Sequence, residues 1–69
     1  MQTVSAEYLM GIKEGRERFE QYGVAIAHEE VDNLRRTIKC FAANTPVGQM
    51  LRGERDFWLN QIKRRSLTP

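Results

Sequence analysis

Apolar residues recur along this chain at spacings of three and four, and nowhere do they alternate at period two. The spacing predicts three helical segments, at about 5–22, 24–43 and 46–64, and no strand, so the expected fold class is all-α. The first segment starts at Ser5, a residue suited to an N-cap, with Glu7 in the first turn. Val4 and Leu9 stand where a hydrophobic staple would pack. Tyr8, Ile12, Phe19 and Tyr22 share one narrow arc, and Gly15 falls on it, opening a gap that a partner side chain could fill. The second segment carries the cleanest stripe: Val24, Ala27, Val31, Leu34, Ile38 and Phe41, on one face about 100° wide. Extended through Gly23, the first face misses the second by about 100°. Gly23 therefore ends the first helix or kinks a longer one, and a break is favoured.

Asn44-Thr45-Pro46 is the strongest punctuation, with Thr45 fit for an N-cap and Pro46 for the first helical position. Val47, Met50, Leu51, Phe57, Trp58 and Ile62 then occupy a face about 140° wide. Gly48 and Gly53 lie off that face and cost about 1 kcal/mol each relative to alanine, so packing rather than propensity must hold the third helix. Glu54 and Gln61 project from the middle of this face. A bare carboxylate there is costly unless paired. Arg35, flanking the second stripe, is the candidate partner for Glu54; the alternative is a slight roll that takes Glu54 to water. Ser66-Leu67-Thr68-Pro69 is expected to fray.

At 69 residues, with 41% hydrophobic and 29% charged, the chain is one small domain of folding composition. The single cysteine, Cys40, excludes an internal disulfide framework and a cysteine-rich zinc site. No apolar run approaches the roughly 20 residues that cross a bilayer, and residues 1–7 lack the basic and apolar regions of a secretory signal. A cytoplasmic location is expected. The net charge of +2 is unevenly placed: residues 1–23 set three cations against four carboxylates, residues 24–44 balance, and residues 45–69 set five cations against two carboxylates. A basic carboxy-terminal end complements a helix dipole without requiring nucleic acid.

Chemistry is sparsely represented. His28 is the only histidine, and Asp32, not a second histidine, stands four residues on; two ligands do not make a metal site. Cys40 has no histidine nearby and reads as a partly buried small residue. Gly11-x-x-x-Gly15 is embedded among charges, which fits neither a phosphate loop nor a membrane dimer motif. No catalytic, cofactor or metal residues are assigned. DNA binding through a basic third helix with Arg52, Arg55, Lys63, Arg64 and Arg65 is the alternative function. Against it, Val47 and Gly48 occupy the first turn where base-reading side chains are wanted, and Glu54 and Asp56 dilute the field. A membrane surface fits worse, because the charges of the other two helices are balanced.

The stretches Ser5-Ala6-Glu7-Tyr8-Leu9-Met10-Gly11-Ile12-Lys13-Glu14-Gly15-Arg16 and Pro46-Val47-Gly48-Gln49-Met50-Leu51-Arg52-Gly53-Glu54-Arg55-Asp56-Phe57-Trp58 resemble small helical early proteins of the exo–xis region of lambdoid bacteriophages and prophages. The resemblance implies a phage accessory protein made early in infection in the bacterial cytoplasm. It further implies an influence on host replication or cell cycle, or on the choice between lysis and lysogeny. It supplies no catalytic residues.

The expected protein is non-enzymatic and acts by binding a host or phage protein. Its last two helices form a hairpin, and a homodimer buries the remaining apolar faces. Candidate core or interface residues are Phe19, Tyr22, Val31, Leu34, Ile38, Phe41, Met50, Leu51, Phe57, Trp58 and Ile62, with Arg35 and Glu54 as a polar pair. Trp58 lies within the broadest stripe, and loss of a core tryptophan typically costs about 3–5 kcal/mol. That is comparable to the whole stability of so small a core, about 3–5 kcal/mol. Trp58→Ala is expected to lose most of its helical circular dichroism at room temperature; an undisturbed melt would place Trp58 on a partner-facing surface instead.

Overall fold

The computed structural model describes residues 5–67, and every regular element among them is helical. Helix α1 spans Ala6–Tyr22, a 3₁₀ turn spans Val24–Ile26, α2 spans Ala27–Ile38 and α3 spans Pro46–Leu67. Ser5 caps α1 as its chemistry predicts, its Oγ accepting from the Tyr8 amide at 3.1 Å. Val4, the other half of the expected staple, lies outside the described residues. The chain breaks at Gly23, whose φ of 76° and ψ of −171° fall in a region essentially open only to glycine. The Gly23 amide closes the helix by donating to the Phe19 carbonyl at 2.8 Å. Thr45 caps α3, its Oγ1 accepting from the Gly48 amide at 3.0 Å.

Helix α2 is shorter than the expected 24–43. Its first three residues are wound into the 3₁₀ turn, and its far end closes at Ile38. There Thr37 Oγ1 donates back to the Asn33 carbonyl at 2.9 Å. The Cys40 and Phe41 amides then reach back only three residues, to Thr37 and Ile38. This tightening swings Phe41 off the stripe, leaving it 40% exposed, and leaves Cys40 exposed rather than tucked beside the core. Helix α3 runs past Arg64 through Ser66 and Leu67, with no glycine or proline to stop it. Thr68 and Pro69, the rest of the tail expected to fray, lie outside the described residues.

The most extensive packing joins α1 to α3, the two helices farthest apart in sequence. Ser5 meets Gln49, Tyr8 meets Asp56, and Gly15 faces Phe57, so the partner's number rises with that of α1 and the two helices run in the same direction. Residues Val24, Ala27 and His28 face Ile62 and Arg65 across one groove, so α2 starts beside the end of α3 and returns along it. Ala27, Val31, Leu34 and Ile38 of α2 then close over Trp58, which is 0% exposed. Phe19, Leu51, Phe57 and Ile62 pack around that cluster. The three aromatic rings meet edge to face, with centroids 5.6–6.2 Å apart.

Glycine permits the α1–α3 contact. A Cβ on Gly11 would lie 1.9 Å from the Met50 carbonyl oxygen, and one on Gly53 would lie 2.0 Å from that of Tyr8. Gly53, expected off the packed face and as a cost only, is thus a point of backbone contact. The gap at Gly15 is filled by the Phe57 ring, 2.8 Å from where a Cβ would stand. Gly11→Ala gains about 1 kcal/mol of helix propensity but forces two backbones apart, and overpacking typically costs about 1–3 kcal/mol. The expected net result is a lower urea midpoint for Gly11→Ala, whereas alanine at exposed Gln21 leaves it nearly unchanged. A midpoint raised by Gly11→Ala would show that the helices are not in this contact.

Candidate functional site

One polar cluster interrupts the apolar packing, and all three helices contribute to it. Glu30 of α2 is buried, and Arg18 of α1 covers it, its Nε donating to Glu30 Oε1 at 2.8 Å and its Nη2 completing the ion pair. Arg18 keeps about half of its side chain in water and lies 5.9 Å from the centroid of the Tyr22 ring. Its guanidinium is held still more firmly in the charged form by the Glu30 bond. Glu54 of α3 is partly buried nearby. Burial pushes its carboxyl above the usual range, the Glu30 and Glu14 charges push it further, and Arg18 opposes them. One cation therefore serves two carboxylates, Glu30 and Glu54.

This corrects the pairing expected from sequence. Arg35 is exposed on the outer side of α2 and forms no bond with Glu54; the cation facing Glu54 is Arg18. The reason is geometric: α1 lies against α3 along its length, so the position opposite Glu54 belongs to α1. The stripes of α2 and α3 show Glu54 as misplaced, but only the α1–α3 direction reveals its neighbour. Buried Glu30 escaped the sequence reading because it sits beside exposed Glu29 in an ordinary acidic first turn.

A second polar link lies near the amino-terminal end of α1. Tyr8 Oη donates to Asp56 Oδ2 at 2.5 Å, and that bond, with burial, raises the phenol above its ordinary value. Asp56 also pairs with Arg55 at 3.0 Å. Ser5 donates to Gln49 Oε1 at 3.3 Å, so hydrogen bonds fix the register of α1 on α3 at both residues.

The candidate residues divide between core and surface. Val31, Leu34, Ile38 and Trp58 are buried, while Phe19, Met50, Leu51, Phe57 and Ile62 are partly covered. Phe41 and Tyr22 are not core residues: Phe41 has left α2, and Tyr22, on the last turn of α1, is 53% exposed where the chain turns away at Gly23. Leu9, Met10 and Val47 are likewise about half exposed. His28 is exposed, and no group of three potential metal ligands occurs among the described residues. No helix among them is long and apolar enough to cross a membrane. Trp58 Nε1 is enclosed with no hydrogen-bond acceptor among the described residues, a cost of about 1–3 kcal/mol that the ring's packing must exceed.

Compared with known proteins, the chain matches no family model, no curated protein and no solved structure.

The raised Glu54 carboxyl sets a pH dependence. A carboxyl with a higher pKa folded than unfolded favours the folded state when protonated. Its contribution is fullest below the unfolded value, about 4.3 for glutamate, and is lost as pH rises through the folded one. Glu54→Gln, which keeps the neutral form at all pH, should therefore be more stable than the parent at pH 7. That difference should shrink as the pH falls toward the usual carboxylate range. Urea denaturation at several pH values reads both; a parent more stable than Glu54→Gln at neutral pH contradicts the assignment.

Proposed function

We propose that this chain is a non-enzymatic accessory protein of the phage type, working in the bacterial cytoplasm by binding a host or phage protein. In this reading α2 and α3 act as a helical hairpin, and the protein self-associates, most simply as a homodimer. Its effect falls on host replication or cell cycle, or on the lysis–lysogeny choice, as the resemblance implies. The observation that carries the proposal is apolar surface left uncovered by a chain with little core to spare. Leu9, Met10, Tyr22, Phe41 and Val47 are each between 40% and 53% exposed. Exposed apolar surface of this kind marks association sites when it is contiguous.

The DNA-binding alternative has less support. A recognition helix must offer one face to a groove, but α3 is packed on by both other helices, and from Gly48 to Ile62 only Asn60 is exposed. Arg52 is turned back onto the Gly48 carbonyl at 2.9 Å, and Arg55 is engaged with Asp56. Lys63, Arg64 and Arg65 lie at the exposed end of the helix, beyond the packed stretch.

Sedimentation equilibrium at micromolar concentration tests the self-association. A mass about twice 8.1 kDa is expected of a two-fold dimer, and a monodisperse monomer counts against it. Tight duplex binding that falls steeply with salt would instead favour the DNA-binding alternative.

A further inference from the structure

The carboxy-terminal halves of α1 and α3 run side by side, and the space between them is a trough rather than a filled seam. Two adjoining hollows of about 420 and 330 Å³ share Phe19, Gln61 and Arg64. Phe19 and Phe57 form the floor, each in edge-to-face contact with the fully buried Trp58 ring. Arg16 stands on the α1 side, and Arg64 and Arg65 stand on the α3 side. Glu20 is the one carboxylate among the lining residues.

Arg64 and Arg65 lie in the last turn of α3, where cations also complement the helix dipole. Arg16 does not: it stands well before the end of α1 at Tyr22, beyond the reach of a dipole that fades within the last turn. A cation there, facing two more across an aromatic floor, is complementary to a ligand that is apolar on one side and anionic at its edges.

The geometry points to this trough as a docking site for an acidic amphipathic helix of a partner protein. The partner's apolar side chains would seat on Phe19 and Phe57, and its carboxylates would face Arg16, Arg64 and Arg65. This rests on the reading of the chain as a protein-binding protein and names the face used and the chemistry of the partner. Nucleic acid fits the trough less well. Glu20, within the lining, opposes phosphate, and the two phenylalanines are only half-exposed and lie side by side, not spaced as a platform for successive bases.

The test uses the full chain and a fluorescein-labelled acidic peptide of about 15 residues, with Leu and Phe at helical spacing and Glu elsewhere. The comparison probes are a scrambled peptide of the same composition, a peptide with Lys in place of Glu, and single-stranded oligo-dT. By fluorescence anisotropy the acidic amphipathic peptide should bind at least about tenfold more tightly than any of the three. Arg16→Glu, at an exposed position, should weaken it by about tenfold with an unchanged thermal melt, and Arg65→Gln, which removes a cation from the last turn of α3, should also weaken it while the protein stays folded. Amide shifts of the unsubstituted protein on titration should centre on Asn60 and Gln61. Equal binding of the scrambled peptide, preferential binding of oligo-dT, absence of binding, or shifts centred on Leu9 and Met10 would each overturn the assignment. Sedimentation of the same samples keeps the readings apart. A dimer that ignores the peptide loses the trough and keeps self-association, whereas a monomer that binds it does the reverse.

Discussion

The backbone contact between α1 and α3 at Gly11 and Gly53 is the constraint from which the other features follow. With no side chain between them, a carbonyl of each helix lies against the other's glycine. The aromatic rings farther along must then share what space remains, and Phe57 enters the notch at Gly15. Because the two helices are parallel, a third segment must carry the chain back from the end of one to the start of the other. Helix α2 does this, and its one strong apolar stripe closes over Trp58. The fold is thus a close helix pair with a returning lid, and the order of the chain leaves α3 in the middle.

That arrangement brings charge into a place that a purely apolar bundle would avoid. Arg18, Glu30 and Glu54 come from three different helices, and each helix alone shows only an ordinary surface pattern around them. The ion pair ties α1 to α2, the two elements that otherwise touch least. Buried ionic groups are weak sources of stability but can select one packing over another. Here the cluster penalises any rotation of α2 that would take Glu30 from Arg18 and leave both carboxylates facing one another.

Much of the fold was legible in the sequence because caps and breaks are local. Ser5, Gly23 and Thr45 act through their own hydroxyls and dihedrals within four residues, and each does in the structure what its chemistry suggests. The α2 stripe was legible for the same reason, since its spacing repeats without interruption up to Ile38. The end of α2 was not, because the chain tightens to three-residue bonding at Cys40 and Phe41 and no glycine announces it. The choice of Arg18 over Arg35 was hidden as well. It depends on which helices are neighbours and in which direction they run, and periodicity within one helix carries no information about either. Glycines illustrate the difference: propensity assigns Gly53 a cost, and only the tertiary contact assigns it a place.

Small helical proteins usually owe fast folding to partners that are close in sequence. Here the hydrogen bonds of Ser5 with Gln49 and of Tyr8 with Asp56 span 44 and 48 positions, most of the chain. The α2–α3 pair, joined by the short stretch 39–45, can assemble with little loss of chain entropy. Helix α1 instead pairs with residues far along the chain, beyond the whole of α2. Its glycines offer little apolar surface to reward a loose encounter, because they contribute only at final separation. Parallel pairing of the outer helices therefore raises the mean sequence separation of the native contacts, a topology nearer to that of a non-local sheet than of an up-and-down bundle.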